Sequence, residues 1–142
     1  MTSEINLLQH IHQGSAMGID SIRHMIGLSE DHAFTSALTN QLREYEDVKA
    51  EAASLLTRAG QTPQGVSSAA KFMSDMTSSL KSITDRSASR LAEIMIEGST
   101  MGTTNLTKQL NAYHGHDHAV TSLAHKLLKT EERNIEEMKH FL

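Results

Sequence analysis

The chain has 142 residues, a formal net charge of −4, nine histidines, eight methionines, one proline and no cysteine. That length suits one domain with a modest core. Without cysteine there is no disulfide and no thiolate metal site, which fits a cytoplasmic protein. The mixed signs and negative balance lack the basic face that nucleic acid or a membrane-surface helix requires, and no stretch is apolar for long enough to cross a bilayer.

Met1-Thr2-Ser3-Glu4 leads straight into an amphipathic pattern, without the basic start and apolar run of a secretion signal. Helix 1 is expected from Ser3 to about Gly27. At about 100° per residue its core stripe is Leu7, Leu8, Ile11, Ser15, Gly18, Ile22 and Met25. Helix 2 is expected from about Asp31, a capping residue, to Ala59, with Gly60 as a C-terminal stop. It turns Phe34, Leu38, Gln41, Leu42, Tyr45, Val48, Ala52 and Leu56 inward.

Gly60-Gln61-Thr62-Pro63-Gln64-Gly65 is the clearest break in the chain. Beyond it, Val66 to Thr84 reads as a short extra helix in a long crossover, with Ser87 capping helix 3. The alternative is one continuous helix from Ala69 to Tyr113, since no strong breaker lies between them. Helix 3 offers Leu91, Ala92, Met95, Ser99, Gly102, Leu106 and Leu110 to the core. Helix 4, capped by Asp117 and running almost to Leu142, offers Val120, Ala124, Leu127, Glu131, Ile135, Met138 and Leu142.

The two halves echo each other. Leu7-Leu8-Gln9-His10-Ile11-His12-Gln13-Gly14-Ser15-Ala16-Met17-Gly18 returns 84 positions later as Leu91-Ala92-Glu93-Ile94-Met95-Ile96-Glu97-Gly98-Ser99-Thr100-Met101-Gly102. After a two-residue slip, which a loop tolerates, Leu42, Glu46 and Leu56 fall on Leu128, Glu132 and Leu142, and Tyr45 falls on Glu131. The expected architecture is therefore all-α: a single up-down four-helix bundle over residues 1–142, built from hairpin 1 (about 3–59), a crossover (about 60–86) and hairpin 2 (about 87–142).

Tyr45 and Glu131 stand at the centres of their stripes, and a mid-core carboxylate needs a partner or loses its charge. The plain reading is a polar pair that specifies register. The sharper one is a reduced metal site of Glu131, Asn134 and Tyr45, with His12 on the flank of helix 1. Paired glycines, Gly14 with Gly18 and Gly98 with Gly102, each cost about 1 kcal/mol in a helix interior, so they are assigned to close helix packing. A second semi-apolar stripe, His10, Gly14, Met17, Ser21 and Leu28, is echoed by Ile94, Gly98, Met101 and Asn105, and needs a cover from the crossover or a second subunit. A homodimer is expected.

His114-Gly115-His116-Asp117-His118 gathers ligand types that could hold zinc or nickel, although loop histidines beside an N-cap aspartate are ordinary. No strand–turn–helix nucleophile elbow and no Gly-rich phosphate loop is present, so enzymatic activity is not indicated. Flexible thioethers at Met17, Met95 and Met101 allow a third possibility, a small-ligand carrier.

The repeat, the crossover, and the segments Ile96-Glu97-Gly98-Ser99-Thr100-Met101-Gly102 and Lys129-Thr130-Glu131-Glu132-Arg133-Asn134-Ile135-Glu136-Glu137-Met138 resemble the ferritin-like superfamily, in particular its small uncharacterised bacterial members with a duplicated hairpin. That resemblance implies a di-iron or di-manganese centre taking one Glu from each of two helices and a Glu-x-x-His from each of the other two. The set is incomplete here. Helix 1 has Ile11 and Ser15 at mid-height, Glu97 points away from the core, Glu131 is followed by Asn134, and Glu137-x-x-His140 lies at the chain's end. The expectation is a non-enzymatic structural or interaction protein with no cofactor, its protein partner or small ligand unidentified. The alternative is a metal-binding or redox protein holding iron, manganese or zinc around Glu131.

Overall fold

A computed structural model describes residues 3–63 and 83–142. Among them are four helices, α1 (Ser3–Leu28), α2 (His32–Arg58), α3 (Ala88–Ala112) and α4 (His118–Lys139), and no strand. The helix expected over Val66–Thr84 falls outside the described residues except for Ile83 and Thr84, which are not helical. A continuous helix from Ala69 is ruled out, because Ser87 is extended and its side chain accepts the Arg90 amide at 3.2 Å, starting α3 afresh.

The other ends follow from local chemistry. Asp31 accepts the Phe34 amide at 2.9 Å, and Asp117 accepts those of Ala119 and Val120 at 3.0 and 3.3 Å, satisfying donors that a first helical turn cannot pair internally. At the end of α2, Gly60 adopts φ +75°, while Gly60 and Gln61 donate back to the Thr57 and Leu56 carbonyls at 3.0 and 2.9 Å. This is a Schellman closure, which favours glycine at that position.

Cross-helix pairs set the directions. Arg23 meets Glu46 at 3.5 Å, so α2 runs back along α1. Gln41 donates to Glu137 at 2.8 Å, Arg133 meets Glu44 at 3.4 Å and Lys126 meets Glu51 at 3.3 Å, so α4 runs antiparallel to α2. The Tyr113 hydroxyl, just past the end of α3, donates to Glu4 at the start of α1 at 3.3 Å. The order is up, down, down, up. Because α2 and α3 point the same way, the chain leaves one end of the bundle after Ala59 and re-enters at the other before Ser87.

The core is one cluster between the four helices. α1, α2 and α4 each bury eight residues, whereas α3 buries only Leu91, Ala92, Met95 and Leu106, which makes α3 the least anchored helix among the described residues. Two expected core positions are corrected. Leu142 is 63% exposed because α4 stops at Lys139, and Phe141 instead packs edge-on against Phe34 with ring centroids 5.3 Å apart. Ile135 is half-buried because the α4 stripe turns toward Leu123, Thr130 and Asn134.

Candidate functional site

At mid-height three predicted residues do come together. Tyr45 on α2 and Glu131 and Asn134 on α4 are 2%, 7% and 4% exposed. The Tyr45 hydroxyl reaches Asn134 and Ser99. Burial raises the Tyr45 phenol, and the nearby Glu131 carboxyl adds to that rise. Burial also pushes the Glu131 carboxyl up, to about 8. Glu131 Oε2 and Asn134 Nδ2 are buried, and neither completes a hydrogen bond of normal geometry. Such orphaned atoms cost stability unless something satisfies them.

Two of the four glycines make room for this group. A Cβ at position 18 would lie 3.0 Å from two carbons of the Tyr45 ring, and one at position 102 would lie 2.6 and 2.9 Å from the Glu131 carboxyl oxygens. Each glycine thus receives a side chain from the next helix of its own hairpin. The sequence expectation of close backbone approach is therefore refined, since side chains fill these hollows. Gly14 makes only ordinary contact with Leu127, at 3.9 Å from an added Cβ, and Gly98 faces open space among the described residues. The pairing of glycine with polar knob was missed in the sequence, although a signal was present. Gly18 and Gly102, like Tyr45 and Glu131, are separated by the offsets of the internal match.

The remaining candidates lie elsewhere. His12 lines a surface groove of about 320 Å³ between α1 and α2 with Ile19, Arg23, Glu46 and Lys49. Its imidazole is pushed down, first by burial and then by Lys49. His114 and His116 are exposed on the α3–α4 loop, and His118 is exposed as the first residue of α4. That loop is held by Tyr113, whose hydroxyl also accepts the Asp117 amide at 3.2 Å. Among the described residues no three His, Asp or Glu side chains gather where they could hold an ion.

A second groove, of about 650 Å³ between α2 and α4, is lined by Glu44, Asp47, His125, Lys126, Lys129 and Arg133 and floored by Thr130. The ion pairs that bridge it were not read in the sequence, because they depend on the relative height of two helices distant in the chain. Neither groove is lined by methionine. Met95 is buried while Met101 is 52% exposed, since six residues of helix turn them to different sides.

The donors at mid-bundle are one carboxyl, one phenol, one carboxamide and one hydroxyl. A di-iron or di-manganese centre of the ferritin-like kind needs several carboxylates and two imidazoles, and the residues present do not fit it. Glu44 is drawn to Arg133, Glu137 accepts from Gln41, and Glu97 is exposed.

No protein-family model matches the chain, and no curated protein does either. No helix among the described residues is long and apolar enough to cross a membrane. Two solved structures share its fold. One is a DUF305 fragment from Deinococcus radiodurans, with TM-score 0.73 and 18% identity, covering 99% of this chain and 95% of that one. The other is YcfI from Rhodopseudomonas palustris, for which a structural role is proposed, with TM-score 0.60 and 16% identity, covering 98% of this chain and 94% of that one. At these identities the likeness is one of fold, and this chain is an all-α four-helix bundle akin to those two.

Proposed function

We propose that this protein is a non-enzymatic structural or interaction module, a ferritin-like bundle of two duplicated hairpins whose interior carries no metal centre and whose polar group at Tyr45, Glu131 and Asn134 fixes helix register. The observation that carries this reading is the filling of the bundle's middle. Tyr45 lies against Gly18 and Glu131 against Gly102, which leaves side chains where a reactive site would need open coordination or a substrate cavity. A polar group that fits only one pairing of helices specifies that pairing, the best-attested use of buried polar residues. The structural role proposed for YcfI points the same way.

Metal content is the first test. Protein produced in medium supplemented with iron, manganese and zinc, measured by plasma mass spectrometry beside Glu131→Gln, is expected to carry no stoichiometric ion in either form. Near-stoichiometric metal that disappears in the variant would overturn the reading and establish a metal-handling role at Glu131.

The module works as a cytoplasmic homodimer. α3 supports this, because Ile94 is half-buried, Met101 is 52% exposed and Gly98 has nothing over it among the described residues. An exposed methionine one turn from an open glycine suits the close approach of another helix. Met101→Glu is expected to shift the sedimentation coefficient from dimer to monomer without changing helicity. A wild-type chain that sediments as a monomer would end the dimer proposal.

A further inference from the structure

We infer that the middle of this bundle holds a proton where a ferritin-like bundle would hold metal: Glu131 is kept as a neutral carboxylic acid seated on Gly102, and giving up that proton loosens α3 from α4. The inference rests on the metal-free reading above and extends it to what the site does.

The geometry carries it. The carboxyl oxygens would lie 2.6 and 2.9 Å from a Cβ at position 102, so the group rests directly on the α3 backbone. The residue is 7% exposed, and its Oε2 has no hydrogen-bond partner. A carboxylate there would be both desolvated and unpaired, a combination that proteins resolve by neutralising the group.

The neighbours offer no charge to hold it ionised. From α2 come the Tyr45 phenol, turned to Asn134 and Ser99, and Glu44, itself acidic and paired with Arg133 at 3.4 Å. α3 contributes Gly102 and Ser99, neither of them charged. α1 approaches this region through Gly14 beside Leu127 and Gly18 beside Tyr45. Within α4, Asn134 is neutral and the Arg133 guanidinium is turned out toward Glu44. Burial is the cause of the raised carboxyl.

Ionisation then has a mechanical consequence. A carboxylate at this position must reach water, and the element covering it is α3, which buries half as many residues as its neighbours. Moving α3 away at Gly102 exposes the group at the smallest loss of apolar packing.

The sign of the pH dependence follows. The folded chain releases this proton near pH 8, whereas an unfolded glutamate does so near 4.5. Between those values the folded state holds one more proton than the unfolded state, so stability falls as pH rises and levels off above the folded value. One proton changes the unfolding constant by up to about tenfold per pH unit.

The experiment is urea unfolding followed by circular dichroism between about pH 5 and pH 9, with wild type, Glu131→Gln and the neighbouring exposed Glu132→Gln as control. Wild type should lose stability relative to Glu131→Gln by up to about tenfold in the unfolding constant per pH unit, and Glu132→Gln should follow wild type. Infrared difference spectra of wild type alone should show a protonated carboxyl carbonyl that titrates near pH 8, together with faster amide exchange in α3 after correction for intrinsic rates. This second measurement decides the matter even if the variant fails to fold. Parallel pH profiles for wild type and Glu131→Gln, or no protonated carboxyl band at neutral pH, would overturn the inference. A stoichiometric metal ion would instead overturn the reading beneath it, so the two failures are distinguishable.

Discussion

Phe34→Ala is expected to lower folding stability by about 4 kcal/mol, measured by urea unfolding with circular dichroism. Phe34 is fully buried near the start of α2, and its ring meets Phe141 edge-on at 5.3 Å and 85°. Truncation removes the transfer free energy of the ring and leaves a cavity lined by helices that cannot collapse onto it, and both contributions destabilise. The lost aromatic pair adds about 1 kcal/mol. The residue also ties Phe141 to the beginning of α2, so the segment after Lys139 should fray with it. The pairwise part is isolated by a double-mutant cycle with Phe141→Ala. Additive losses in that cycle would show that the rings do not support each other, and a loss under about 2 kcal/mol for Phe34→Ala would mean that this end of the bundle readily repacks.

Gly18→Val should cost about 2–3 kcal/mol, the second largest effect, while the same kind of change at Gly98 should go the other way. At position 18 even a Cβ lies 3.0 Å from the Tyr45 ring, and valine adds two methyls to that contact. The ring has little room to swing aside, because it is 2% exposed and packed within the core. The gain from removing a glycine from a helix interior, at most about 1 kcal/mol, offsets only part of that overlap. At position 98 an added Cβ meets nothing among the described residues, so Gly98→Ala should raise the stability of the isolated chain by about 0.5–1 kcal/mol. Thermal unfolding of both changes made in the Met101→Glu chain, where no second subunit covers Gly98, tests the contrast. Equal and small effects at the two positions would mean that the Tyr45–Gly18 contact is loose.

Much of the fold was legible along the chain, for local reasons. Asp31, Ser87 and Asp117 announce helix starts because an unpaired amide needs an acceptor nearby in sequence, and Gly60 announces an end because it tolerates a positive φ. The apolar period identified Phe34, Leu38, Leu91 and Met95 as core, and it placed Glu131 and Tyr45 within it. The buried polar group is therefore visible in the sequence as an anomaly of the apolar period. Less legible was the end of α4. Leu142 continues the apolar period, yet the helix stops at Lys139 and Phe141 takes the inward place.

What the sequence alone determined is therefore the four described helices, their capped starts and the face each turns inward, since these depend on dihedral preference, hydrogen bonding within a turn and the 3.6-residue period. Only the tertiary structure decided which neighbour fills each hollow: Tyr45 over Gly18, Glu131 over Gly102, open space beside Gly98 among the described residues, and His12 in a surface groove with Lys49 instead of in the metal set that the alternative reading drew around Glu131. The physical reason is that a helix's period specifies the direction of a side chain about its own axis, while the partner it meets depends on the height and roll of another helix, which are settled by packing the whole bundle at once.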